Sequence, residues 1–149
     1  VTKGVELAKK YNLPEVIVNF IRTHHGKSKV KYFYNSFKNK YPDKPLDESL
    51  FTYAGPDPVS KECAVVMMAD AVEAVSRTLQ DKTEENLKKS VNDIIDGQVN
   101  EGRFQNSDIT FRDIAIVKRV FTEMLANIYH SRIAYPKLKT EAELSLIHI

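Results

Sequence analysis

Apolar positions along the chain recur at helical rather than strand spacing almost throughout. Val5, Leu7 and Ala8 read as the end of a first helix. Asn12-Leu13-Pro14 predicts a turn, with Pro14 suited to the first turn of the next helix. Val16, Ile17, Phe20, Ile21 and His24 then form an i, i+1, i+4, i+5, i+8 stripe, and Gly26 supplies a C-terminal stop. Lys29 to Lys40 reads as a third helix with Val30, Phe33, Tyr34 and Phe37 on one face, in a segment whose strand propensity is also high. Tyr41 to Pro58 holds four of the six prolines and predicts an irregular loop.

The second half continues the pattern. Ser60 is placed to cap a helix running to about Leu79. Val65, Val66, Met67, Met68, Ala69, Val72 and Val75 make it so apolar that it should be the buried central helix. Thr83 with Glu84 and Glu85 opens another helix, since acids suit its positive end; it should run to about Asn100 and stop at Gly102. Thr110-Phe111-Arg112-Asp113 resembles a capping box, with Asp in place of the usual Glu or Gln. It should start a long amphipathic helix to about Ile133, ended by Tyr135-Pro136. No internal repeat or linker interrupts this order, so the expected class is all-α.

Composition adds limits. The 149 residues are 42% hydrophobic and 28% charged, which suits one domain with a real core and excludes a collagen-like or low-complexity chain. No run of about 18 apolar residues predicts a transmembrane helix within this stretch. The chain opens Val1-Thr2-Lys3-Gly4, without Met or a signal-peptide pattern, and is expected to be cut from something longer. Cys63 is the sole cysteine, which rules out an internal disulfide and suits a reducing compartment. The net charge of +2 hides an asymmetry. Residues 1–45 carry ten Lys and Arg against three Asp and Glu, whereas residues 46–109 carry six against thirteen. A basic first third favours a local anionic ligand, or simply solvated faces.

Three features could carry chemistry. His24-His25-Gly26 lies at a helix end, where both imidazoles can turn toward one cleft; otherwise one is a core and one a surface histidine. Asp70 lies in the middle of the apolar helix, where a carboxylate is costly unless paired, hydrogen-bonded or metal-bound. Glu73, one turn on, is a weak candidate partner behind it, or the polar edge of the helix. Lys61, Arg77 and Arg132 are weak candidates for phosphate contact against a background of ordinary surface charge. Two histidines and a distant aspartate suit a borderline or hard metal such as Mn, Fe or Zn. No Walker loop, dinucleotide-binding glycine motif or nucleophile elbow occurs.

Several blocks also occur in a recognisable order: Val1 to Ala8, Phe20-Ile21-Arg22-Thr23-His24-His25-Gly26, Val30-Lys31-Tyr32-Phe33-Tyr34, Ser60-Lys61-Glu62, Met68 to Ala74, and Tyr129 to Pro136. Over residues 1 to about 140 this resembles the C-terminal part of the cytoplasmic HD domain of the seven-transmembrane HD family, bacterial phosphodiesterases of cyclic di-AMP. The resemblance implies an all-α, HD-domain-like helical bundle, truncated at its N-terminal side. It implies a site for two divalent metal ions, Mn or Fe most of all. His24 and His25 match the family's His-His element and would hold one metal; Asp70 matches its last Asp and would hold the other. A further His should directly precede Val1, with another His and a His-Asp pair upstream. This chain would thus carry three of seven protein ligands and be inactive alone. Lys27 stands where the family usually has a small hydroxyl residue.

By the same resemblance, a metal-activated hydroxide would hydrolyse a cyclic dinucleotide. Tyr32 and Tyr34 are weak candidates for stacking on adenine, by analogy with aromatic stacking of bases; two residues apart on a helix they face different ways, so core packing is the expected role of at least one. DNA and RNA are not expected partners. The segment itself should not touch a membrane, while its parent would be anchored in the bacterial inner (plasma) membrane with this domain in the cytoplasm. The oligomeric state is left open. The rival reading is a non-catalytic, nucleotide-sensing HD-like domain of a membrane signalling protein. A third, an unrelated helical interaction module, would be favoured if His24, His25 and Asp70 lay far apart. Finally, Leu144-Ser145-Leu146-Ile147-His148-Ile149 matches, in order, the translation of a transposase end sequence used as a library adapter. The expected division is therefore residues 1–143 as a partial HD domain and 144–149 as a non-native tail, with His148 excluded as a ligand.

Overall fold

The computed structural model describes residues 1–130. Six α-helices run in order: α1 (Thr2–Lys10), α2 (Glu15–Thr23), α3 (Lys31–Lys40), α4 (Lys61–Thr78), α5 (Glu84–Asn100) and α6 (Phe111–His130). One 3-10 turn, Glu48–Phe51, interrupts the long loop between α3 and α4. Among the described residues the only β pairing is an isolated antiparallel bridge, Lys29 with Thr52.

Helix α4 lies at the centre, as its apolar run implies. Ala64 and Met68 are fully buried, and Met67 and Val72 nearly so. Helices α5 and α6 close over it with Leu87, Val91, Ile95, Ile114 and Leu125, and Phe104 fills the corner between them. Burying such side chains supplies the driving force, about 1.5–3 kcal/mol for each large one. The hairpin of α1 and α2 packs on the other side of α4, through α2. Its two helices cross so closely that a Cβ on Gly4 would lie 2.9 Å from Ile21 Cγ2.

The local starts and stops follow ordinary chemistry. The Ser60 hydroxyl accepts from Cys63 N–H at the head of α4, and Thr83 does the same for Asn86 at the head of α5. Thr110 and Asp113 form a reciprocal box: Thr110 N–H donates to Asp113 Oδ2 at 2.9 Å, and Asp113 N–H to Thr110 Oγ1 at 3.1 Å. Two elements differ from the sequence reading. Helix α1 continues to Lys10 rather than ending near Ala8. Helix α3 begins at Lys31 rather than Lys29, because Lys29 and Val30 are pulled into extended pairing: Val30 N–H donates to Phe51 O, and Tyr53 N–H to Ser28 O. Arg132, the end of α6 near Ile133 and the adapter-like tail lie outside the described residues.

Candidate metal centre

Helix α2 ends at Thr23, and the chain turns back on itself through His24, His25, Gly26 and Lys27. Gly26 sits at φ 52°, a left-handed conformation that a side chain disfavours. This turn puts both imidazoles on one side, with ring centroids 3.9 Å apart. His24 Nδ1–H donates to Ile21 O at 2.9 Å. His25 Nδ1 lies 3.2 Å from Asp70 Oδ2 of α4. In both rings the Nδ1 proton is engaged, so Nε2 of a neutral imidazole keeps its lone pair. Burial, reinforced by the neighbouring His24, lowers the His25 pKa despite the opposing pull of Asp70. A neutral ring is the form a metal requires.

Asp70 differs from the reading that singled it out. Its side chain is 45% exposed, so no buried charge needs compensating. It stands on the open edge of α4 where α2 ends, and what marks it is its contact with His25. Two imidazoles and a carboxylate make a donor set that fits a borderline divalent metal. Among the described residues, however, no group of three or more His, Cys, Asp or Glu side chains is arranged tightly enough to hold an ion. The three donors suit one part of a metal centre and do not complete one.

The weaker candidates are dispersed. Glu73 and Arg77 pair with each other one turn apart on the exposed face of α4. Lys61 lies nine residues before Asp70, about 13 Å away along the helix axis, and reaches Asp113 Oδ2 of α6 at 3.1 Å. Tyr32 is 76% exposed and meets Phe33 edge-on. Tyr34 packs edge-on against Phe51 and donates its hydroxyl to Glu48 Oε1 at 3.2 Å. Three residues escaped the sequence reading. Tyr53 stacks on His25 with centroids 4.2 Å apart and an interplanar angle of 24°. Asp57 accepts from Lys27 N–H at 2.9 Å, and Arg103 pairs with Asp57 at 3.2 Å. All three come from irregular segments, where no periodicity could tie them to the histidines.

No protein-family model matches the chain. The crystal structure of the Listeria monocytogenes phosphodiesterase PgpH HD domain in complex with cyclic-di-AMP superposes with a TM-score of 0.81 and 34% identity. That match covers 90% of this chain and 62% of the solved one. The chain is a homologue of the PgpH HD domain. It is 35% identical over 136 residues to cyclic-di-AMP phosphodiesterase PgpH of Bacillus subtilis, covering 91% of this chain and 19% of the relative. Identity to PgpH of Listeria monocytogenes is 35% over 133 residues, covering 89% and 18%. A second crystal structure of that PgpH HD domain gives a TM-score of 0.79 at 31% identity. The chain thus spans about a fifth of the length of the curated relatives it matches. The all-α fold is the HD-domain fold that the ordered sequence blocks implied.

Proposed function

We propose that this chain is part of a metal-dependent phosphodiesterase that opens a cyclic dinucleotide, cyclic di-AMP, by hydrolysis. One observation carries the reading: a 34%-identical HD domain of the same fold, named a phosphodiesterase, was crystallised with cyclic-di-AMP. The contact among His24, His25 and Asp70 supports it further and speaks against an unrelated interaction module.

His24 and His25 would offer their Nε2 atoms to one divalent metal and Asp70 its carboxylate to a second, with Mn or Fe the expected ions. Bound metal would supply an activated hydroxide and stabilise the attacked phosphate. The Ile21 carbonyl fixes the tautomer and tilt of His24. Asp70 fixes those of His25 from Nδ1, and Tyr53 shields one face of that ring from water. Arg77 and Lys61 remain proposals for phosphate contact, which each would reach only by leaving its present acidic partner. The excess of Lys and Arg in residues 1–45 would raise the local concentration of a dianionic substrate. By the family resemblance, the parent is a bacterial plasma-membrane protein; among the described residues no helix is long and apolar enough to cross a membrane.

The test uses a longer protein carrying this sequence with the rest of its HD domain. With Mn²⁺ it should hydrolyse cyclic di-AMP, and His25→Ala or Asp70→Asn should reduce kcat at least about 100-fold. The 149 residues alone should show no turnover, since three donors cannot saturate two ions. Binding of cyclic di-AMP without turnover by the longer protein would favour the sensor reading instead.

A further inference from the structure

The loop before α4 grips the His-His-Gly turn at four points. Tyr53 N–H donates to Ser28 O at 3.0 Å, and the Tyr53 ring stacks on His25. Gly55, at φ 82°, lets its backbone lie against Lys27, whose Cγ would be 2.9 Å from a Cβ there. Asp57 Oδ1 accepts from Lys27 N–H at 2.9 Å. The same oxygen approaches Gly26 so closely that a Cβ would come within 2.5 Å of it. Asp57 therefore sits in a notch that only glycine leaves open.

Asp57 is itself held from the opposite side. Arg103, in the loop after α5, spreads Nη1 across Oδ1 and Oδ2 at 3.2 and 3.3 Å. Its Nη2 donates to Glu101 O at 2.8 Å, which fixes the guanidinium plane. Both side chains are largely buried, 14% and 18% exposed. Arg103 Nε is buried and lies 3.9 Å from Glu101 Oε2, an ion pair beyond hydrogen-bond distance. A donor left without a hydrogen bond costs about 1–3 kcal/mol, which the Glu101 charge offsets in part. The residues this arrangement restrains are those flanking His24 and His25.

We propose that Asp57, clamped by Arg103, is a positioning residue that sets the aim of the His24 and His25 rings. The proposal rests on the reading of these rings as metal donors, and its test separates the two. Nitrogen-15 histidine NMR of the 149-residue chain reports both imidazoles directly, and Mn²⁺ broadens signals of rings that bind it. The variants are Asp57→Asn, Arg103→Met, Arg103→Lys and Val91→Ala, the last a core change away from the turn.

Asp57→Asn and Arg103→Met should shift the His25 ring signals as the Tyr53 stack loosens. They should also raise the Mn²⁺ concentration that half-broadens the His24 and His25 signals about tenfold or more. Arg103→Lys, which keeps the charge, should recover most of both effects. Val91→Ala should lower the melting temperature and leave the ring signals unmoved. Because Asp57→Asn risks the fold, the Arg103 pair carries the decision without it. Unmoved His25 signals in folded Arg103→Met, or equal movement in Val91→Ala, would overturn the clamp. If Mn²⁺ fails to broaden the wild-type histidines in the longer protein that carries the rest of the HD domain, the metal reading falls, and the ring shifts still decide the clamp.

Discussion

At Gly26 the backbone is left-handed, and a Cβ would meet Asp57 Oδ1 at 2.5 Å and Met67 Cε at 3.1 Å. The conformation alone costs an L-residue about 1–2 kcal/mol, and the clash with a restrained carboxylate adds to it. Gly26→Ala should therefore lower stability by about 2 kcal/mol or more and displace the His25 ring from Tyr53. A urea midpoint unchanged from wild type would contradict this. Sequence alone identifies Gly26 as a helix stop, because that rule is local. It cannot reveal the tight notch, because Asp57 lies thirty positions from Lys27, its backbone partner. Asp70 teaches the complementary lesson. It drew notice as a charge in an apolar helix, yet it occupies the exposed edge, and its meeting with His25 depends on how α2 crosses α4.

Helix starts were readable because their chemistry spans three or four residues. Thr110 and Asp113 close the α6 box with the shorter acid, and α6 begins at Phe111 as the motif predicts. The α3 start was not readable, since the bridge to Thr52 is a long-range pairing. Asp113 carries an element-scale prediction. Hydrogen bonds from Thr110 N–H and Oγ1, then from Lys61, lower its pKa from 3.8 to about 2. A depressed folded pKa stabilises the protein above the unfolded value, and that contribution disappears as pH falls through the folded one. Asp113→Asn should thus lower the urea midpoint at pH 6, and the gap from wild type should narrow steadily between pH 4 and pH 2. A gap constant over that window would show that the carboxylate charge contributes nothing to the α6 start. Thr110→Ala should remove part of the same pH dependence, because its hydroxyl is one of the groups that hold the carboxylate ionised.

For the whole molecule, the helical layers differ in how well they are covered. The α4–α6 side buries Leu87, Val91 and Ile95 completely, whereas the α1–α2 hairpin leaves Leu7 45%, Leu13 43%, Val16 55% and Ile17 38% exposed. The apolar stripe of α2 was plain in the sequence; how little of it α4 covers depends on tertiary packing. Scattered exposed aliphatics are ordinary on any surface, but four on one hairpin concentrate exposed apolar area of the kind that drives association. Lys3, Lys9, Lys10 and Arg22 outnumber Glu6 and Glu15 on the same hairpin, where Arg22 pairs with Glu15. The remaining positive excess opposes that association through like-charge repulsion, which salt screens over about 10 Å at 0.1 M. The two effects make a signed prediction. The chain should be monomeric when dilute at low salt and should self-associate as ionic strength rises, read by sedimentation velocity. Val16→Lys removes the most exposed of the four aliphatics and adds charge, so it should shift the onset to higher salt while leaving the α4–α6 core and its thermal unfolding nearly unchanged. Association that weakens with salt would mean that ion pairs, rather than this apolar hairpin, bring the copies together.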